Sequence, residues 1–232
     1  MLSRDLFVYH SQLQENFPAE NIPAHIKVLY PYESQQTLEN IKLFFEKYYK
    51  DERNRTIILG INPGRFGAGV TGIPFTDPVF MDSILGISNN YNKKHELSSQ
   101  FIYKMIDAYG GPELYYNDVI VSAVSPLGFE QDGKNLNYYD DKGLKNKIYD
   151  YAVYQLRKLI NIVGPQKQII SLGGGKNQDY LEKLNEKEKL VDKIVALPHP
   201  RYIMQYKRKS LEDHIDNYVS TIRSVVDINR KI

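Results

Sequence analysis

The chain contains no cysteine. That absence excludes disulfides, thiolate-bound zinc, thiolate-held iron–sulfur clusters and a cysteine nucleophile. Histidine is scarce: His10, His25, His95, His199 and His214 share no HExxH or HxH spacing, so no metal centre is expected. No stretch is apolar for the length of a membrane span, and the first thirty residues lack the apolar run of a signal peptide. The expectation is a soluble, cytoplasmic protein. Charge of either sign is also in short supply, since 30 Lys and Arg against 28 Asp and Glu leave only +2. Nothing in that total argues for a polyanionic partner. Locally, "YKRKS" at 206–210 is basic and "YYDD" at 138–141 is acidic, patterns that read as solvated faces without other support.

What is present suits one globular domain over 1–232, long enough for a core that needs no staples. Four short apolar runs end abruptly in turns. "TIILGI" (56–61) stops at Asn-Pro-Gly, "VIVSAV" (119–124) at Ser-Pro-Leu-Gly, "QIISL" (168–172) at Gly-Gly-Gly, and "KIVAL" (193–197) at Pro-His-Pro. Such runs suit strands buried on both faces. Between them, 34–51, 99–110, 144–164, 176–190 and 209–228 carry helical spacing. Alternating strands and helices predict an α/β fold: a three-layer α/β/α arrangement around a mainly four-stranded parallel sheet. In such sheets the ligand crevice lies beyond the carboxyl ends of the strands, where all four loops fall.

Read singly, the loops are ambiguous. Asn62-Pro63 starts turns, and the glycines that follow serve chain reversal or the close approach of a ligand. His199, between two prolines, is either a hydrogen-bonded loop residue or a catalytic one. "LGGGKN" (172–177) invites a phosphate-binding reading but lacks the GxxxxGK[ST] and GxGxxG spacings; close helix–strand packing explains those glycines better. A two-carboxylate glycosidase is poorly served, because the strand-end loops offer Asn, Ser and His while Asp77 and Asp82 lie further along.

The ordered set is more specific. Gly60-Ile61-Asn62-Pro63-Gly64-Arg65-Phe66-Gly67 resembles G-M-N-P-G-P-F-G, and Thr71-Gly72-Ile73-Pro74-Phe75 resembles T-G-V-P-F. Both patterns belong to the uracil-DNA glycosylase superfamily, within it to the single-strand-selective monofunctional (SMUG-type) enzymes. Ser125-Pro126-Leu127, Gly133-Lys134-Asn135-Leu136, Leu172-Gly173-Gly174-Gly175 and His199-Pro200, with Arg201 and Lys207, follow in the family's order over about residues 25–210.

The resemblance implies a monofunctional DNA glycosylase of base-excision repair. It would act on an extruded base without metal or other cofactor, as a monomer with DNA as partner and no membrane. His199 would stabilise the departing base and Asn62 would position water. Phe75 would stack under the base, the backbone N–H groups of Ile61 and Phe66 would read carbonyl edges, and Gly64 would leave open the wall that excludes 5-substituted pyrimidines. Arg65, Gly174, Lys176, Arg201, Lys207 and Arg208 would contact DNA, with Tyr202, Ile203 and Met204 as the wedge that fills the vacated stack. One departure concerns specificity: the family's uracil-reading asparagine falls on Ala123, leaving Ser122 or Ser125 as partial substitutes. With Gly64, this implies tolerance of xanthine or 5-hydroxymethyluracil beside uracil. The alternatives are a damaged-DNA binding module without turnover, and an unrelated nucleotide-binding enzyme that uses "GGGKN".

Overall fold

The computed structural model describes residues 1–231. In chain order the helices are α1 (Leu2–Ser11), α2 (Gln35–Tyr48), α3 (Ala68–Thr71), α4 (Pro78–Ser83), α5 (Leu97–Tyr109), α6 (Pro112–Asp118), α7 (Lys142–Lys147), α8 (Tyr149–Val163), α9 (Lys176–Glu188), α10 (Pro200–Tyr206) and α11 (Leu211–Asn229). The strands are β1 (Lys27–Leu29), β2 (Thr56–Gly60), β3 (Val119–Ala123), β4 (Gly128–Gln131), β5 (Lys134–Leu136), β6 (Gln168–Leu172) and β7 (Lys193–Leu197).

The four apolar runs form one parallel sheet in the order β3-β2-β6-β7. Helices α1, α2 and α8 pack together, as do α5, α10 and α11, with α11 laid on β2 and β6. This is the expected three-layer α/β fold. β7 departs from the expectation of strands buried on both faces: as an edge strand it leaves Ile194, Val195 and Ala196 only half-buried. The expected helix over 144–164 is two helices, because the Asp141 carboxylate caps Leu144 N–H at 2.7 Å and the chain leaves helical geometry at Ile148.

A second, three-stranded antiparallel sheet, β1-β4-β5, was not expected. Its strands are too short and polar to show alternation, but the turn between β4 and β5 had a signal. Asp132-Gly133 takes φ 49° and 70°, the two positive values of the hairpin turn that Asp-Gly favours. This hairpin carries Lys134 and Asn135 to the carboxyl end of the parallel sheet.

At the opposite end, one side chain ties α11 to the strand entrances. Asn229 Oδ1 accepts from Lys167 and Gln168 N–H at 3.0 Å each, and its Nδ2 donates to Thr56 Oγ1, Gln166 Oε1 and the Gln168 carbonyl. Asn229→Ala would leave two backbone donors unpaired. We expect a loss of about 3 kcal/mol, read in urea denaturation as a lower midpoint at unchanged slope.

Candidate active site

The carboxyl ends of β2 and β3 finish on a pair of small residues, Gly60 opposite Ala123. A Cβ at Gly60 would come within 2.9 Å of Phe75 Cζ, so glycine is what lets that ring lie across the strand end. Phe75 itself takes φ +52°, which L side chains adopt at a cost. Backbone strain is accepted here to aim an aromatic face. The ring stands 6.0 Å, centroid to centroid, from the imidazole of His199. Together they border a cleft of about 740 Å³.

His199 follows β7 and is the N-cap of α10, with Pro200 at the first helical position. Its Nδ1 accepts the Arg201 backbone N–H at 3.2 Å. A nitrogen that accepts from an amide carries no proton, so the neutral ring bears its hydrogen on Nε2. Burial, then the charge of Arg201, hold the imidazole pKa down to about 4. At neutral pH His199 is therefore an uncharged Nε2–H donor. From α11, the Tyr218 hydroxyl donates to the Pro198 carbonyl and anchors the loop just before it.

Asn62 is held by the chain leaving the hairpin. Its Nδ2 donates to the Leu136 carbonyl at 3.2 Å, and its Oδ1 accepts the Tyr138 N–H at 3.0 Å. The amide orientation is thus dictated by backbone, and the carbonyl oxygen keeps a second lone pair for a water molecule.

The wall at Gly64, expected to be open, borders the cleft and is flanked by polar side chains. A Cβ there would lie 3.0 Å from Glu96 Oε1 and 3.1 Å from Asn135 Nδ2, so two polar side chains occupy that side. Nothing local in the sequence flags Glu96. It is placed by buried Asp77, whose carboxylate caps α4 through Val79 and Phe80 N–H and accepts the Glu96 N–H at 2.9 Å. Burial raises the Glu96 pKa; Asp77 adds to the rise and Arg201 opposes it. Asn135 accepts the Arg65 N–H at 3.1 Å.

Of the residues singled out from sequence, Ile61, Asn62, Gly64, Arg65, Phe66, Phe75, Ser122, Ala123, His199, Arg201 and Tyr202 border the cleft. Phe66 is exposed at its mouth, with Lys94 Nζ 3.9 Å and the Arg65 guanidinium 4.5 Å from its ring centre.

Others do not reach the cleft. Ser125 is fully buried and donates to the Leu127 carbonyl at 2.8 Å, so its hydroxyl is spent on the turn. Ile203 and Met204, expected in the wedge, are in the core against α5. The segment is helical rather than extended, so alternate faces of a helix decide exposure. Tyr202 and Tyr206, four residues apart, face outward, with their rings 5.6 Å from each other. Lys207 is exposed outside the cleft, and Arg208 donates to the Met204 carbonyl at the end of α10. Gly174 and Lys176 also lie outside, Lys176 paired with Asp140 at 3.6 Å. The glycines there do not serve close packing: a Cβ at Gly173 would meet nothing nearer than 3.5 Å and one at Gly175 nothing within 4 Å. Their φ values of +136° and +61° require glycine instead.

The carboxyl ends of the strands thus gather a neutral imidazole donor, a backbone-held amide and an aromatic ring around one cleft. The sequence profile of the uracil DNA glycosylase superfamily matches residues 46–223, and the chain belongs to that family. Within it the chain is of the SMUG type: the crystal structure of wild-type Pedobacter heparinus SMUG2 superposes with a TM-score of 0.92 at 38% identity, covering 97% of this chain and 98% of that one. No curated protein matches the chain. No helix among the described residues is long and apolar enough to cross a membrane.

Proposed function

We propose that the chain is a monofunctional, monomeric DNA glycosylase that removes uracil and other deaminated or modified bases, xanthine and 5-hydroxymethyluracil among them, in base-excision repair. The observation that carries this reading is the His199 tautomer. The bond from Arg201 N–H leaves Nε2–H as a neutral donor on the wall that Phe75 and Asn62 share. A base departing as an anion develops charge on its carbonyl oxygens. A fixed donor meeting that charge contributes on the order of 2.7–4 kcal/mol, and the Arg201 cation adds to the field.

Phe75 stacks on the extruded base, worth roughly 1–3 kcal/mol, and Ile61 and Phe66 N–H read its carbonyls. Asn62 orients water and does not deprotonate it, since an amide is no base at neutral pH. The exposed tyrosines of α10, Tyr202 and Tyr206, fill the vacated stack, and Arg65, Lys94 and Arg201 meet phosphates at the mouth. Among the described residues the lysine that borders the cleft is Lys134, which is exposed on the hairpin and lacks the desolvation that activates a Schiff-base lysine.

The test is base release from end-labelled oligonucleotides carrying uracil, 5-hydroxymethyluracil, xanthine or hypoxanthine, single- and double-stranded. Alkali-labile abasic sites are expected, with no strand cleavage before alkali. Cleavage without alkali would overturn the monofunctional assignment. Tight lesion binding with no release would make the protein a reader of damage instead of an enzyme.

A further inference from the structure

Ala123 offers the base edge no donor or acceptor, yet the wall around it is not featureless. The N-terminal helix α1 places His10 there: His10 borders the same cleft as Ser122, Ala123 and Phe75. The His10 ring is held on three sides by aromatic rings, those of Tyr9, Tyr32 and Phe45, with centroids 5.0, 5.5 and 4.8 Å away. Its Nδ1 lies 2.8 Å from the Leu6 carbonyl. A carbonyl only accepts, so the proton of the neutral ring is on Nδ1 and Nε2 is left with a lone pair. Nε2 makes no hydrogen bond among the described residues, and it is not one of the polar atoms sealed in the interior without a partner. The residue is 2% exposed and borders the cleft.

We propose that His10 is the base-reading residue that stands in for the missing amide at position 123, its Nε2 accepting the ring N–H of a deaminated base. This rests on the glycosylase reading above. Deamination of cytosine or adenine converts an acceptor into a donor at this edge: N3 of cytosine becomes N3–H of uracil, and N1 of adenine becomes N1–H of hypoxanthine. Xanthine carries N1–H as well. A single fixed lone pair therefore pairs with all three products and meets cytosine and adenine lone pair to lone pair. One acceptor explains both a broad set of deaminated substrates and the rejection of cytosine and adenine; guanine, the parent of xanthine, already carries N1–H and is not rejected by this contact. Burial keeps the imidazole neutral, its pKa lowered to about 4, so the lone pair is available at physiological pH. The two histidines divide the work by tautomer: His199 presents N–H to the leaving oxygen and His10 presents N to the base edge.

The experiment compares single-turnover uracil release by wild type, His10→Phe and His10→Gln, with cytosine-containing oligonucleotide as the reference. The His10→Phe variant is expected to release uracil about 10- to 100-fold more slowly, and its preference for uracil over cytosine to shrink. The His10→Gln variant, whose amide carbonyl accepts, is expected to recover much of the rate. Equal uracil rates and equal discrimination in wild type and His10→Phe overturn the inference while leaving the glycosylase reading intact. Absence of release by the wild type itself overturns both. Where His10→Phe fails to fold, the ¹⁵N resonance of the unprotonated His10 nitrogen is followed in wild type on adding uracil to its complex with abasic-site DNA. A shift supports the contact, and an unchanged resonance overturns it.

Discussion

His199→Ala is expected to slow single-turnover uracil release by ~10²–10³-fold while leaving lesion-DNA affinity nearly unchanged, because the donor is used most when charge has moved onto the base. The substitution also removes an N-cap, at about 1 kcal/mol of stability, so His199→Asn is the informative partner. A short amide retains an acceptor for the Arg201 N–H but does not reach the base, and should be as stable as wild type and as slow as alanine. The pH profile separates the neutral donor from an imidazolium. With the folded-state pKa lowered to about 4, the rate should be flat from pH 8 to 6 as far as His199 is concerned. A rise across that interval would show a cation at work instead. Stability follows the same group. The unfolded histidine has the higher pKa, about 6.5, so it binds more protons than the folded one between those values. The stabilisation is complete above about 6.5, declines as pH falls and is gone below about 4. His10, also lowered to about 4, adds in the same direction.

The second large effect concerns Asn62→Asp. A carboxylate is a stronger base than an amide, so the substitution invites the expectation of a faster enzyme. The geometry argues the reverse. Asn62 Nδ2 donates to the Leu136 carbonyl at 3.2 Å, and a carboxylate would set a second acceptor against that oxygen. Only the Tyr138 N–H, now given to Oδ1, still favours it. We expect uracil release to fall about tenfold and stability to drop by about 1–3 kcal/mol at neutral pH. The protonated acid can again donate to Leu136, so the aspartate pKa is raised in the folded state. Both deficits should shrink as pH falls through that raised value. A variant faster than wild type at pH 8 would refute the argument. Chemical denaturation and single-turnover rates across pH decide it.

Much of this was legible in the chain alone. The four strands could be placed to within a residue, because β-branched runs closed by Pro and Gly leave little choice of ends. The loops after β2 and β7 carried their own signatures, and Asn62, Phe75 and His199 meet because parallel strands deliver successive loops to one edge. The places of His10 and Glu96 beside the cleft were not legible. His10 lies on a mixed-polarity N-terminal helix fifty residues before the first motif, which begins at Gly60, and Glu96 follows a loop whose conformation is set by the buried Asp77 carboxylate. Neither position has a local periodicity to betray it.

Sequence by itself determined the fold class, the site's edge of the sheet and the presence there of Asn62 and His199, since these follow from local pattern and residue type. Tertiary structure alone decided how they are used. It chose which nitrogen of each histidine carries the proton, through the Arg201 amide in one case and the Leu6 carbonyl in the other. It turned Tyr202 and Tyr206 outward and buried Ile203 and Met204, because only a packed helix distinguishes its faces. It also filled the space beside Gly64 with a carboxylate and an amide from distant segments. Hydrogen-bond partners and packing neighbours are long-range quantities, and a single chain read from end to end does not contain them until it folds.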